Sequence, residues 1–280
     1  MKRNAARIPC YLAAVLLPMA GASSVRGATI TAQWNFDDPG TVGGSVSNVG
    51  GFTGTFVGPA GRTASGGGVS ATAGDYAFDP RLTANTGNGA MTSNTAPFLA
   101  ALNAVTGSQA MSITYWEFLD STPSSTAFWG TSPTAVGVGG QRGLNAHSPW
   151  SDGNVYFDTA GCCDGTNRIA GPLGATLGDW QLITLVYNAG TRTAYRNTTQ
   201  VATGGGGIPL ASDINAFIVG NDNLMATLGM DAKLDNFTIW SGALTTQEIA
   251  ALAVRPVPEP SAWMLGMLGA FAAGFRRSRR

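Results

Sequence analysis

The segment from Asn145 to Arg168 concentrates side chains that could bind a ligand. It contains the chain's single histidine, together with aromatic, acidic, amide and thiol side chains. The candidate residues are His147, Trp150, Asp152, Asn154, Tyr156, Asp158, Cys162, Cys163 and Asp164. Short Asp-Gly turns bring side-chain and carbonyl oxygens together, and calcium requires six to eight oxygen ligands.

Two interpretations of this segment remain open. In the first, Trp150, Tyr156 and His147 bind a glycan, with the rings stacked on a sugar face. A calcium ion would then be held by Asp152, Asn154, Asp158 and Asp164. In the second, two ordinary Asp-Gly turns flank a strand whose aromatic residues lie in the core, because Asp and Gly are common in turns for backbone reasons alone.

The cysteines have few possible partners. Cys10 lies in an N-terminal leader, so the exported chain would keep only Cys162 and Cys163, which are adjacent. An oxidising compartment favours disulfides. The pair could form a vicinal disulfide, remain as thiols or bond another molecule. The chain has no CxxC spacing, which argues against a zinc site or a thioredoxin-like redox site.

The carboxylates argue against hydrolysis. A glycosidase needs two carboxylates that flank the scissile bond, about 5–10 Å apart. The chain's glutamates are Glu117, Glu248 and Glu259. Glu248 is part of a predicted helix cap and Glu259 is part of the C-terminal targeting segment, so only Glu117 remains as a catalytic candidate. The spacing between Glu117 and Asp120 does not place both carboxylates on one face of a strand. We therefore predict no catalytic residues, and a glycoside hydrolase or lyase is the alternative.

Both ends of the chain read as targeting segments. Residues 1–27 begin with basic residues, continue with a short apolar run and reach small residues near Ala22, as in a secretory signal peptide that a signal peptidase cleaves.

Near the other end, Pro258, Glu259 and Pro260 precede an uncharged run from Ser261 to Phe275 and four arginines. As a helix this run would span about 22 Å, short of a hydrocarbon core of about 30 Å.

Residues 256–280 resemble the PEP-CTERM sorting signals of Gram-negative bacteria. The shared pattern is Pro-Glu-Pro, an apolar helix and an arginine cluster, in that order. The resemblance implies transient association with the inner membrane, recognition by an exosortase and removal of the tail. Delivery to the cell surface or to the extracellular matrix would follow.

The charge of the remaining part, residues 28–255, is acidic. Without the two targeting segments the chain keeps 8 basic and 15 acidic residues, a net charge of −7. Nucleic-acid binding requires clustered lysines and arginines against phosphate. We therefore exclude nucleic acid as a partner.

The pattern of residues 28–255 predicts an all-β fold. Short β-rich runs alternate with clusters of Gly, Ser, Thr, Asn and Asp. The predicted strands are 31–36, 111–118, 155–157, 180–187, 193–195, 216–219 and 234–240. The one clear helix signal is a capping box, in which Thr245 and Glu248 each bond the other's backbone amide.

These runs resemble laminin-G-like, concanavalin A-like domains. The strand Gly178–Asn188 is similar to their Trp-to-Tyr strand, and 234–249 is similar to their closing strand and helix. Further similarities lie at Trp34–Asp38, Met111–Trp116, Thr191–Tyr195 and Phe217–Gly220, although Arg196-Asn197 stands where the family often has Asp-Gly. The resemblance implies a jelly-roll sandwich of two antiparallel sheets with one short C-terminal helix.

Together these patterns predict an exported protein that binds polysaccharide without catalysis. The alternatives are a glycoside hydrolase or lyase of the same fold, and a structural matrix or adhesion protein without a small-molecule site. The fold alone cannot choose among them, because function resides in sites carried by folds.

Overall fold

The computed structural model describes residues 27–81, 89–135, 141–163, 165–222 and 228–255. Asp164 and the sorting motif Pro258, Glu259 and Pro260 lie outside the described residues, as does nearly all of the predicted signal peptide. The described residues form sixteen strands and two helices. In chain order they are β1 (Thr29–Trp34), β2 (Gly44–Val46), β3 (Thr53–Val57), β4 (Gly61–Arg62), β5 (Phe78–Asp79), β6 (Ala90–Thr92), α1 (Ala96–Gly107), β7 (Ala110–Leu119), β8 (Phe128–Thr131), β9 (Arg142–His147), β10 (Asn154–Thr159), β11 (Arg168–Pro172), β12 (Trp180–Asn188), β13 (Thr191–Arg196), β14 (Thr199–Gly204), β15 (Ala216–Val219), β16 (Ala232–Ser241) and α2 (Thr246–Leu252).

The strands form two eight-stranded sheets. The first sheet has the order β14-β13-β12-β7-β16-β5-β4, with β1 also paired to β16. The second has the order β11-β10-β9-β8-β15-β6-β3-β2. The pairings between these strands are antiparallel. The predicted fold class, an all-β sandwich of two antiparallel sheets, is confirmed.

The core lies between the two sheets because side chains alternate across each strand. In β7, Met111, Ile113 and Tyr115 belong to the central apolar cluster. In β10, Val155 and Phe157 belong to the same cluster. The residues between them on each strand therefore lie on the outer faces of the sheets.

Helix α2 covers part of the outer face of the first sheet. Thr245 Oγ1 accepts a hydrogen bond from the Glu248 amide at 3.2 Å, and the Thr245 amide donates to Glu248 Oε2 at 2.8 Å. The predicted capping box is present. Ile249 of this helix packs with Val186 of β12, which explains why β12 is apolar on both faces.

Helix α1 was not predicted. Its inward residues Phe98, Leu102 and Val105 join the central cluster, and Phe98 meets Trp34 edge-on at 5.5 Å between ring centroids. The expectation of a single helix was therefore incomplete. Pro97 in its first turn is a start signal that the sequence offers.

Within the described ranges, no helix is long and apolar enough to cross a membrane.

Each predicted strand is found, with bounds that extend at most a few residues beyond the prediction or shift by about two. The atypical hairpin between β13 and β14 turns at Asn197, whose φ is 52°. Asparagine tolerates this left-handed conformation better than most residues. Asn197 therefore takes the place that the family's usual glycine would fill.

Candidate functional site

A pocket lies on the outer face of the second sheet, where β9, β10 and β11 are neighbours. Tyr156 and Asp158 alternate with the inward residues Val155 and Phe157, so both lie on this face. The strand register places Tyr156 opposite His147 and Asp158 opposite Arg168. Antiparallel pairing thus places side chains from three consecutive strands next to one another.

The pocket has a volume of about 320 Å³. Residues from the three strands, from the turn between β9 and β10 and from the loop between β10 and β11 form its wall. They are Arg142, His147, Trp150, Ser151, Asp152, Tyr156, Cys163 and Arg168. The structure therefore brings together the three predicted glycan-binding residues, His147, Trp150 and Tyr156.

Asp152 and Tyr156 form the rim of the pocket. The Tyr156 hydroxyl donates to Asp152 Oδ2 at 2.6 Å, and the amide and side chain of Asn154 donate to the same carboxylate, each at 2.9 Å. These hydrogen bonds, with that of Tyr156 the strongest, lower the pKa of Asp152. The same bond raises the pKa of Tyr156. The rim therefore carries an exposed, ionised carboxylate.

His147 is buried and uncharged. Its Nδ1 lies 2.8 Å from the Ser125 carbonyl oxygen. Because a carbonyl can only accept, Nδ1 carries the proton. Nε2 then accepts from Asn145 Nδ2 at 3.3 Å. Burial lowers the pKa of His147 to about 4, so the ring is neutral at pH 7.

Trp150 is half-buried at the pocket, as is Tyr156. Its ring meets His147 edge-on, with 4.6 Å between centroids. The Trp150 amide donates to the Asn154 carbonyl at 2.8 Å, which closes the turn before β10. Trp150 is therefore fixed at the pocket by both its backbone and its ring.

Arg142 and Arg168 were not predicted as site residues. Both donate to the carboxylate of Asp158, which is fully buried: Arg142 Nη1 at 3.1 Å and Arg168 Nη2 at 2.6 Å. The Arg168 guanidinium also lies 4.6 Å from the centroid of the Tyr156 ring. Arg168 follows Asp158 across the Cys-Cys turn, and a predicted hairpin there would have paired the two.

The position of Asp158 bears on the predicted calcium site. Its oxygens accept from two arginines, whose positive charges disfavour a cation at the same place. Asp152 and Asn154 are bonded to each other at the rim. Among the described residues there is no group of three or more His, Cys, Asp or Glu that could hold a metal. The predicted calcium site of Asp152, Asn154, Asp158 and Asp164, of which Asp164 lies outside the described residues, stays a prediction.

Cys163 lines the pocket, and the structure joins it to buried Cys162 as a vicinal disulfide. The pair lies in the loop between β10 and β11. The disulfide would therefore restrict the loop that contributes to the pocket wall. Its presence in the exported protein stays a prediction.

The carboxylates considered for catalysis lie elsewhere. Glu117 is fully buried in the sandwich, where Ser148 Oγ donates to it at 2.8 Å and Gln181 Nε2 at 2.9 Å. Burial raises the pKa of Glu117 to about 8. Asp120 forms salt bridges with Arg81 and Lys233. Neither residue lines the pocket.

Comparison with protein families agrees with this architecture. The model described as "Concanavalin A-like lectin/glucanases superfamily" matches residues 85–250. The chain belongs to this superfamily. A second family model, the PEP-CTERM protein-sorting motif, matches residues 256–280. The sorting motif indicates that the protein is exported and implies processing by an exosortase.

Solved structures share the fold at low sequence identity. The sialidase of Trypanosoma rangeli is 14% identical over 80% of this chain and 32% of the sialidase, with a TM-score of 0.56. The receptor binding domain of botulinum neurotoxin C/D mosaic serotype is 11% identical over 80% of this chain and 50% of that domain, with a TM-score of 0.54. This superfamily member thus spans half or less of either protein. No protein of the curated set matches it in sequence.

A further structural match is domain 4 of AbnA, an extracellular arabinanase from Geobacillus stearothermophilus, solved with arabinotriose. It is 15% identical over 81% of this chain and 100% of that domain, with a TM-score of 0.48.

Proposed function

We propose that this exported protein binds polysaccharide without catalysis, at the cell surface or in the extracellular matrix of a Gram-negative bacterium. The observation that carries the proposal is the pocket on the second sheet, in which Trp150 lies beside His147, Asp152, Tyr156 and the two arginines. The sorting motif supports the location.

The pocket has the chemistry that a sugar needs. A pyranose ring has an apolar face, which can stack on an indole ring, and a rim of hydroxyl groups. Trp150 supplies the aromatic surface. Asp152 accepts hydrogen bonds, and Arg142 and Arg168 donate them. Pockets that combine an aromatic wall with a few fixed polar groups are typical ligand sites.

The placement of the carboxylates supports binding rather than hydrolysis. Asp152 is the one carboxylate among the described residues of the pocket wall. Asp158 is fully buried and bonded to arginines, and Glu117 lies inside the sandwich. A pair of carboxylates on either side of a bound sugar, which hydrolysis requires, is not formed by the described wall.

The test is a glycan array probed with the exported protein, with calcium and then with a chelator. We expect binding to a restricted set of polysaccharides and no release of reducing sugar on long incubation. A signal that disappears with the chelator would support the predicted calcium site. Sugar release would support the glycoside hydrolase, and unsaturated elimination products would support the lyase. Absence of binding under both conditions would support the structural matrix protein.

A further inference from the structure

Two arginines give the pocket a positively charged inner wall. The side chains of Arg142 and Arg168 are 14% and 19% exposed, and both line the pocket. Their counter-ion Asp158 is fully buried and does not line the pocket. The one carboxylate among the described residues of the wall, Asp152, is hydrogen-bonded at the rim to Tyr156 and Asn154. A ligand in the pocket therefore meets guanidinium groups at the wall and a carboxylate at the rim.

The arginines have more hydrogen-bond donors than Asp158 uses. Each guanidinium has five N–H donors. Asp158 accepts from Arg142 Nη1, Arg168 Nε and Arg168 Nη2. Arg142 Nε is buried and has no hydrogen-bond partner. A buried donor without a partner is costly. Both arginines line the pocket, so N–H groups that Asp158 leaves unused can donate to an acceptor that enters it.

The electrostatic balance at Arg142 points the same way. Burial lowers the pKa of Arg142, although Asp158 and Asp222 both act to raise it. The neighbouring charge of Arg168 lowers it further. At Arg168 burial also acts to lower the pKa, but the hydrogen bond and the charge of Asp158 outweigh burial and raise it. A further negative charge at the pocket wall would favour the charged form of both arginines.

Aromatic contacts fix both guanidinium groups in advance. Arg142 lies 4.8 Å from the centroid of the Trp129 ring, and Arg168 lies 4.6 Å from that of Tyr156. Such cation–π contacts, together with the Asp158 bonds, hold the arginines before any ligand arrives. Less conformational freedom then remains to be lost on binding, which favours affinity.

We propose that the pocket selects an anionic sugar, with the carboxylate of a uronic acid bound by Arg142 and Arg168. Asp158 occupies one edge of the Arg168 guanidinium, formed by Nε and Nη2. The N–H groups that remain on the two planar guanidinium groups match the oxygens of a carboxylate. The hydroxyl groups of the same sugar would donate to Asp152, and its apolar face would stack on Trp150. A volume of about 320 Å³ is at the small end for ligand pockets, so one charged sugar unit occupies it. This inference rests on the proposed glycan-binding function.

The decisive experiment compares a polyuronate with the same polymer after its carboxyl groups are reduced to alcohols. The exported protein should bind the polyuronate at least about tenfold more tightly, which corresponds to about 1.4 kcal/mol. Raising the salt concentration should weaken that binding. Equal affinity for the two polymers would overturn the charge selectivity and leave glycan binding intact. Binding to neither polymer would overturn the selectivity, and only a blank glycan array would overturn the proposed function as well.

Variants locate the selectivity. Arg168→Gln should reduce the preference for the polyuronate to about twofold or less, as should Arg168→Lys, which keeps the charge but loses the two-pronged donor geometry. The matched control is Arg255→Gln, because Arg255 is exposed and bonded to Asp179 away from the pocket. A preference unchanged in both Arg168 variants would contradict the assignment of Arg168 to carboxylate binding. Tighter binding of a sulfated polymer without carboxylates would contradict the choice of a carboxylate as the anionic group.

Discussion

Arg168 donates two parallel hydrogen bonds to Asp158, from Nε to Oδ1 at 2.5 Å and from Nη2 to Oδ2 at 2.6 Å. The register of β10 and β11 places the two residues directly opposite each other. Arg142 adds a bond to the same carboxylate. One buried acid therefore positions both arginines of the pocket.

Replacing Asp158 should be strongly destabilising. Asp158→Asn keeps the shape but removes the charge, leaving two largely buried guanidinium groups uncompensated. We expect a loss of about 3–5 kcal/mol in the free energy of unfolding, as for other broken buried ion pairs, measured by denaturant titration. The control is Asp179→Asn, in an exposed pair with Arg255, where the loss should stay below about 1 kcal/mol. Similar losses for both variants would contradict the account.

Glu117 should make the protein less stable as the pH rises. Its pKa is about 8 in the folded chain against 4.5 normally, so between these values the unfolded chain releases a proton that the folded chain keeps. Stability therefore falls as the pH rises through this window, by at most about 1.4 kcal/mol per pH unit. Glu117→Gln should remove this loss and be more stable than the wild type near pH 8.

The matched control for Glu117 is Glu248→Gln at the start of α2. Hydrogen bonds from Thr245 lower the pKa of Glu248, so this variant should gain nothing at alkaline pH. Unfolding curves at a series of pH values give the comparison. A constant difference between Glu117→Gln and the wild type from pH 5 to pH 8 would show that folding does not raise the pKa of Glu117.

His147 should make the protein less stable as the pH falls, which is opposite to the effect of Glu117. Its pKa falls from 6.5 to about 4 on folding, so below pH 6.5 the unfolded chain binds a proton that the folded chain excludes. Its contribution to stability therefore declines as the pH drops from about 6.5 to about 4. The ring resonances of His147, followed by NMR, should titrate near pH 4 in the folded protein. A midpoint near 6.5 would mean that the ring is open to solvent.

The exported protein should contain the vicinal disulfide. Intact mass measurement should give a value lower by two hydrogen atoms than the dithiol form, and alkylation without reduction should modify neither Cys162 nor Cys163. Cys163→Ser provides the control, since it leaves one thiol that can be alkylated. Two alkylated thiols in the wild type without reduction would show that the exported protein lacks the disulfide.

Much of the fold was predictable because local patterns and burial agree. In β7 and β16 the alternation of apolar residues matches the core that the structure forms, and the Thr245–Glu248 capping box is encoded within four residues. Helix α1 was missed because it is buried on one face and carries few polar residues. Ala96, Ala100 and Ala104 lie on its exposed side, so the contrast between its apolar and polar faces is weak and the helical period is hard to recognise.

The site was predictable only where its residues are close in sequence. His147, Trp150, Asp152 and Tyr156 lie along a single hairpin, so their clustering is visible in the chain. Arg142 reaches Asp158 only through the pairing of β9 with β10, which no local pattern specifies. The sequence also suggests Asp158 as a calcium ligand, and this stays a prediction. Its pairing with Arg142 and Arg168 is visible only in the structure.

The central claim is that the pocket beside Trp150 binds glycan. The most direct test is the affinity of Trp150→Ala for the best ligand on the array, measured by calorimetry. The control is Trp240→Ala, which changes a half-buried tryptophan on the other sheet. We expect at least about a tenfold loss for Trp150→Ala, the effect of removing an aromatic anchor, and little change for Trp240→Ala. Unchanged affinity in a folded Trp150→Ala variant would contradict the assignment of this pocket.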